Sequence, residues 1–186
     1  HISVDFRTRA SVAGTMDSTF KTAPGMMALT TSQIGKIGET LVASQLMLAS
    51  GGRLSPFLPL ADDDGVDLVL LDKVTAAALT IQVKSRTRVD NKKAQTVEFN
   101  VRRATFTNQP HAYMLGILLD EAGQGIRSAW LVPNTALEDV SNRKPDKLVL
   151  TPSAKPTSND RYTPYRCRTL VEVSKRLLAA IDSRAG

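Results

Sequence analysis

Gly65-Val66-Asp67-Leu68-Val69-Leu70-Leu71-Asp72-Lys73-Val74-Thr75-Ala76-Ala77-Ala78-Leu79-Thr80-Ile81-Gln82-Val83-Lys84 holds two apolar runs separated by a short polar stretch. The runs Val66–Leu71 and Ala77–Lys84 are short and rich in Val, Leu and Ile, as strands are. Asp67 interrupts residues that otherwise read as buried on both faces of a sheet. An ionised carboxylate there costs several kcal/mol unless something cationic compensates it. Gln82 and Lys84 break the second run. Being two apart in a strand they share one face, and Leu79, Ile81 and Val83 take the other. Should the runs pair as an antiparallel hairpin, the turn falls in Asp72-Lys73-Val74-Thr75, the only stretch between them that does not read as strand. Setting Asp67 opposite Gln82 centres the turn between Val74 and Thr75. Three polar groups then converge at one end of an apolar sheet.

Outward from this hairpin, Thr31–Ser50 reads as a helix capped by Thr31 or Ser32 and stopped by Gly51-Gly52. Ile34, Ile37, Leu41 and Leu48 recur on one stripe of it. Further strands are expected at Leu54–Leu60, Val97–Val101, Ala112–Leu119 and Ser128–Val132. A closing helix begins with Thr169 as cap and Glu172 completing a capping box, and buries Leu170, Val173, Leu177 and Ile181. Between them, residues 141–166 carry Pro145, Pro152, Pro156 and Pro164 and read as irregular, with Lys147–Thr151 as the one short strand. Residues 1–30 show no sustained periodicity and are expected to be a tag, scar or mobile arm. The remainder, 31–186, is expected to form a single α/β domain around a mixed sheet flanked by helices.

The chain has 186 residues, of which 42% are hydrophobic and 23% charged, enough for one domain with a real core. No uninterrupted apolar stretch approaches the ~18–20 residues of a membrane-spanning helix. One Cys excludes a disulfide framework and points to a reducing, cytoplasmic compartment. With 2 His, a Cys/His zinc site has almost nothing to build it. The balance of 24 Lys and Arg against 18 Asp and Glu, a net charge of +6, favours a polyanionic partner. Phosphate-binding loops of the G-x-x-x-x-G-K-[ST] kind, G-x-G-x-x-G, G-x-S-x-G and H-E-x-x-H are all missing.

Three stretches match one known superfamily: Gly38-Glu39 in the first helix, Asp63-Asp64-Gly65-Val66-Asp67 entering one strand, and Gln82-Val83-Lys84 in the next. The constellation resembles the PD-(D/E)XK nucleases, in the QxK form of Mrr-like restriction enzymes and relatives of Holliday junction resolvases. The resemblance covers Thr31–Arg86 well and the stretch to Val132 loosely. It implies a restriction-endonuclease-like core in the order helix, strand, strand, strand, helix, strand. It further implies a metal-dependent endonuclease that hydrolyses DNA with Mg²⁺ or Mn²⁺. Asp67 would be the principal ligand, with Gln82, the backbone carbonyl of Val83 and Glu39 beside it and Asp63 a lesser candidate. Lys84 would hold the attacking hydroxide or the scissile phosphate. Gln82 stands where most relatives have an acid, so it brings an oxygen without a charge.

Each residue also has a solvated reading. Asp67 could begin its strand in water, and Gln82 and Lys84 could line an exposed edge. Glu39 shares a helical stripe with Gly35 and Leu46, away from the Ile34/Ile37/Leu41/Leu48 stripe, and could be a surface glutamate. Arg86, Arg88, Lys92, Lys93, Arg102 and Arg103 follow Lys84 and could track a phosphate backbone. The expected partner is DNA, with RNA open, and a homodimer is expected because one site cuts one strand. The competing reading is a nucleic-acid-binding or scaffold module that keeps the fold without turnover.

Overall fold

The computed structural model describes residues 28–61, 65–120 and 122–185. The expectation for residues 1–27 and the Asp63 assignment therefore lie outside the described residues. Helix α1 (Thr31–Ala49) starts at Thr31 as expected, but its cap is Thr30 in place of Thr31 or Ser32. Thr30 takes the Gln33 N–H on its hydroxyl at 3.2 Å, and Gln33 returns its side-chain oxygen to the Thr30 N–H at 2.8 Å. The helix ends as Gly51 and Gly52 turn to φ +59° and +79°, with the Gly52 N–H bonded to the Met47 carbonyl.

Strands β1 (Leu54–Phe57), β2 (Leu68–Asp72) and β3 (Ala78–Arg86) form an antiparallel meander. Strand β4 (Phe99–Arg102) leaves that sheet, and β5 (Ala112–Leu119) returns to pair in parallel with β3. β6 (Ile126–Pro133) then runs antiparallel to β5, and helix α2 (Asn134–Val140) follows it directly. After β7 (Asn142–Arg143) and β8 (Lys147–Leu150), strand β9 (Arg166–Cys167) closes the far edge and leads to helix α3 (Leu170–Ala185). The main sheet has the order β1-β2-β3-β5-β6-β9, and a smaller one has β4-β8-β7. No helix among the described residues is long and apolar enough to cross a membrane.

The sheet is covered on both faces. Val42 and Leu46 of α1 and Val173, Leu177 and Ile181 of α3 pack on one face with Leu70, Ile81, Val83 and Leu115. The small sheet and α2 cover the other, where Phe99, Val101, Leu148 and Leu150 meet Met114, Trp130 and Val132. All eight residues of β5 are consequently buried, which is why its sequence is an unbroken apolar run. Gly116 on β5 leaves space for the Phe99 ring, which would lie 2.6 Å from a Cβ there. That ring tilts against Trp130 with centroids 5.8 Å apart.

Three sequence expectations are corrected. The resemblance places a helix in the crossover between β3 and β5, but β4 and a single 3-10 turn at Arg103–Thr105 occupy it. The cause is the alternation of Val97, Phe99 and Val101, all buried on the core side. The fully buried stripe of α1 is Gly38, Val42 and Leu46; Ile34, Ile37 and Leu41 flank it, partly buried against the same core, and only Leu48 of the expected stripe is exposed, at 77%. A Cβ at Gly38 would lie 1.8 Å from Ser85 Oγ and 2.8 Å from Ser85 Cβ, so the helix rotates to bring its glycine onto β3. At α3, Thr169 accepts the Glu172 N–H as expected, but the Glu172 carboxylate takes the Arg168 N–H at 2.8 Å instead of that of Thr169. Residues 141–166 contain more order than their prolines suggest. Arg166 ties them down by donating to the carbonyls of Ser153, Lys155 and Pro156, with its guanidinium 5.9 Å from the Trp130 ring.

Asp72 reads as a turn residue yet is fully buried. Arg53 grips it with two hydrogen bonds, Nε to Oδ1 at 2.9 Å and Nη2 to Oδ2 at 2.8 Å. The same guanidinium reaches Asp182 of α3 at 2.5 Å, joining the last helix to the β2–β3 turn. Arg53, aided by Thr75 and the Val74 N–H, holds the Asp72 carboxyl well below its ordinary value of 3.8 against the opposing effect of burial.

Two outcomes follow from these contacts. Gly38→Ala is expected to lower the unfolding free energy by about 1–3 kcal/mol through overpacking, despite its gain in helix propensity. Urea denaturation should show the same change costing less in a Ser85→Gly background. The depressed Asp72 group contributes stability that is complete above about pH 4 and is lost as pH falls through its lowered folded value. Arg53→Met, which frees that carboxyl, should lower stability at neutral pH. It should also flatten the loss of stability below pH 4, measured by denaturant melts across pH.

Candidate active site

The site is built at the end of the β2–β3 ladder. Leu70 pairs with Leu79 and Leu68 with Ile81, which is the register that brings Asp67 level with Gln82. The Asp72 N–H bonds to the Ala77 carbonyl, closing the turn around Val74 and Thr75. One further rung would set Val66 opposite Val83. Instead the Val83 N–H donates to Asp67 Oδ2 at 2.6 Å, while the Asp67 N–H reaches the Ile81 carbonyl at 2.9 Å. A side-chain carboxylate thus fills the position of a backbone acceptor as β2 and β3 part. Such charge-assisted bonds are short and about twice as strong as neutral ones. The Val83 carbonyl lies on the same edge of its strand as the N–H, on the β2 side.

Gln82 and Lys84 project from the face of β3 opposite to Ile81, Val83 and Ser85, which pack beneath α1. Their neighbours on β5 are Met114 and Gly116. Gly65, at φ +66°, brings the incoming chain over the Gln82 amide, and a Cβ there would lie 2.7 Å from Nε2 and 3.0 Å from Thr105 Oγ1. Thr80, Gln82, Thr105, Thr107 and Asn134 line a polar cavity of about 20 Å³ beside the site. That is room for about one water. The Asn134 amide donates to the Thr107 carbonyl at 2.8 Å, and its buried Oδ1 has no protein partner. Sequence reading missed Thr105, Thr107 and Asn134 because they sit in a 3-10 turn, in a loop and at the start of a seven-residue helix. Besides Gln82, Gly65 carried a signal, standing next to an aspartate before a strand.

The structure therefore brings Asp67, Gln82, Val83 and Lys84 together at one strand end. Lys84 is half-buried and pairs with no carboxylate among the described residues. Glu39 is not a surface glutamate: it adjoins the glycine that touches Ser85, is 18% exposed, and accepts from Lys36 Nζ at 2.7 Å. It nevertheless stands on the α1 side of the sheet, apart from the face that carries Gln82 and Lys84. The basic run divides. Arg86 ends β3, and Arg88, Lys92 and Lys93 are exposed on the chain that follows it, where Asn91 bridges Thr96. Arg102 and Arg103 lie exposed at the other end of β4, where Arg103 pairs with Glu138 at 3.7 Å. Among the described residues no group of three His, Cys, Asp or Glu side chains forms a ready metal cluster.

A mixed sheet entered by an antiparallel three-strand meander, with helices α1 and α3 against one face, has the restriction-endonuclease-like fold. Among solved structures the chain is similar to the bacterial homing endonuclease I-Ssp6803I, at 18% identity and a TM-score of 0.54, over 84% of this chain and 99% of that one. It also matches Hjc, a Holliday junction resolvase from Archaeoglobus fulgidus, at 14% identity and a TM-score of 0.45, over 73% of this chain and 98% of that one. No protein-family model matches the sequence, and no curated protein is significantly similar to it.

The Asp67 rung has its own test. Asp67→Ala should speed hydrogen exchange of the Val83 amide by about ten- to a hundredfold, the equivalent of one charge-assisted bond of about 1.5–3 kcal/mol. Unchanged protection by NMR would mean that a backbone carbonyl takes this N–H.

Proposed function

We propose that the chain is a metal-dependent endonuclease that hydrolyses phosphodiester bonds in DNA, with a QxK active site. The observation that supports this most is the Asp67 carboxylate bonded to the Val83 N–H, level with Gln82 and next to Lys84, in a chain of restriction-endonuclease-like fold.

The donors at that point are all oxygens: the Asp67 carboxylate, the Gln82 amide and the Val83 carbonyl; Glu39, on the α1 side of the sheet, is left outside this set. A hard dication such as Mg²⁺ or Mn²⁺ suits this set, since it keeps several waters and needs only one or two carboxylates. The neutral Gln82 makes the expected affinity modest. When bound, the ion supplies Lewis acidity at the phosphoryl oxygen and lowers the pKa of a coordinated water. Asp67 holds its position through the Val83 rung. Gln82 orients a water or the phosphate with its amide. Lys84, projecting from the same face, holds the attacking hydroxide or the anionic phosphate. Hydrolysis joins a water oxygen to phosphorus and breaks one P–O ester bond, leaving a phosphate monoester and a hydroxyl. Asp63 is a further ligand candidate in this reading. Arg86, Arg88, Lys92, Lys93, Arg102 and Arg103 serve as contacts to the nucleic-acid backbone. Because one such site cuts one strand, cleavage of a duplex uses two copies of the chain.

A second reading is favoured by Gln82, a neutral amide where most nucleases of the resembled family carry an acid: a nucleic-acid-binding module of this fold without turnover. The two readings part on plasmid DNA. The nuclease nicks or cuts it with Mg²⁺ or Mn²⁺ and stops with EDTA. Lys84→Ala should lower cleavage by about 10²–10⁴-fold while leaving binding largely intact. Isothermal titration of Mn²⁺ should show Asp67→Ala weakening metal binding independently of any cleavage. Salt-sensitive binding without cleavage, identical in wild type and Lys84→Ala, would select the second reading.

A further inference from the structure

The small sheet places two cations directly opposite each other. In the β4–β8 ladder Arg102 pairs with Lys147, next to the core-facing pair Val101 and Leu148. By strand alternation Arg102 and Lys147 therefore share the outward face. Like charges directly opposite in a ladder destabilise it. The β7–β8 turn adds Lys144, whose N–H bonds to the Lys147 carbonyl, and the Arg103 N–H bonds to the Asp146 carbonyl, clasping the turn to the end of β4. Arg103 and Arg143 have carboxylate neighbours, Glu138 at 3.7 Å and Asp139 at 3.8 Å. Among the described residues Arg102, Lys144 and Lys147 have no carboxylate partner, and Asp146 is the one acid within their turn.

This cationic end is not remote from the candidate site. Arg103 is two residues from Thr105, which touches the chain at Gly65 and lines the cavity beside Gln82. Two extended residues span at most about 7 Å, the order of one phosphate-to-phosphate step along a strand. We propose that the β7–β8 ribbon, with Arg102 beside it, is a wing that tracks the phosphate backbone of a nucleic-acid substrate next to the cleavage site. The inference rests on the nucleic-acid reading above and deepens it. The repulsion built into the free ladder is relieved when phosphates lie across Arg102, Lys144 and Lys147.

The test uses the full chain in EDTA, titrating a fluorescent duplex across a salt series. The triple variant Arg102→Ala, Lys144→Ala, Lys147→Ala should bind at least tenfold more weakly at moderate salt. Its log K against log salt slope should shrink by about 2 to 3, near 0.9 for each phosphate contact removed. Lys147→Glu alone should raise the melting temperature while weakening binding, an opposition that a purely structural role would not produce. An unchanged slope and affinity overturns the wing. Equal, Lys144- and Lys147-dependent binding to phosphatidylserine vesicles also overturns it, by assigning the patch to lipid. Wing-dependent binding without any cleavage would sink the nuclease reading and leave the wing standing. Cleavage and binding both untouched by the triple variant would do the reverse.

Discussion

A single carboxylate-to-amide hydrogen bond, Asp67 to the Val83 N–H, lets β2 depart from β3 without leaving a backbone donor unsatisfied. Separating two paired strands ordinarily strands a row of polar groups, each costing about 1–3 kcal/mol when buried. Here the side chain of the departing strand supplies the missing acceptor. The same contact pins the carboxylate against the peptide that follows Gln82. Geometry that would be a defect elsewhere becomes a fixed acidic corner, and the hairpin register delivers the amide and the amine to it.

Two glycines set the layers around that corner. Gly38 draws α1 onto Ser85 on one face, and Gly116 admits Phe99 on the other. Each replaces a side chain with a neighbouring group at contact distance, so the sheet is held between surfaces that cannot slide without a clash. The Arg53–Asp72–Asp182 cluster fixes the opposite end of the same hairpin to α3. The candidate site therefore sits on a strand clamped along its length, with the exposed basic segments at its margins.

The hairpin was legible because polar residues in apolar runs are costly and their spacing admits one simple register. The strands were legible for the same reason, as alternation or unbroken burial. The face of α1 was read slightly off its centre, because apolar spacing favoured Ile34, Ile37 and Leu41 while the close-approaching Gly38 turns Val42 and Leu46 fully inward. α2 is too short to show a period, and β7 and β9 are two residues each, so no pattern could reveal them. Asp72 looked like an ordinary turn residue because its partner Arg53 lies 19 positions away. The basic residues read as one run, yet β4 carries their two halves to opposite ends. Lys144 and Lys147 join Arg102 only through a strand pairing that sequence order conceals.

The small sheet is assembled from pieces far apart in the chain. β4 enters before β5 and β6 have been laid down, and its partner β8 arrives only after α2. During folding, Phe99 and Val101 must wait for distant residues to close over them, a high-contact-order arrangement that slows the search for the native state. A chain emerging from the ribosome would carry this greasy half-strand unpaired until Leu150 had been made. The small sheet is thus the region with the longest interval of vulnerability to aggregation during synthesis.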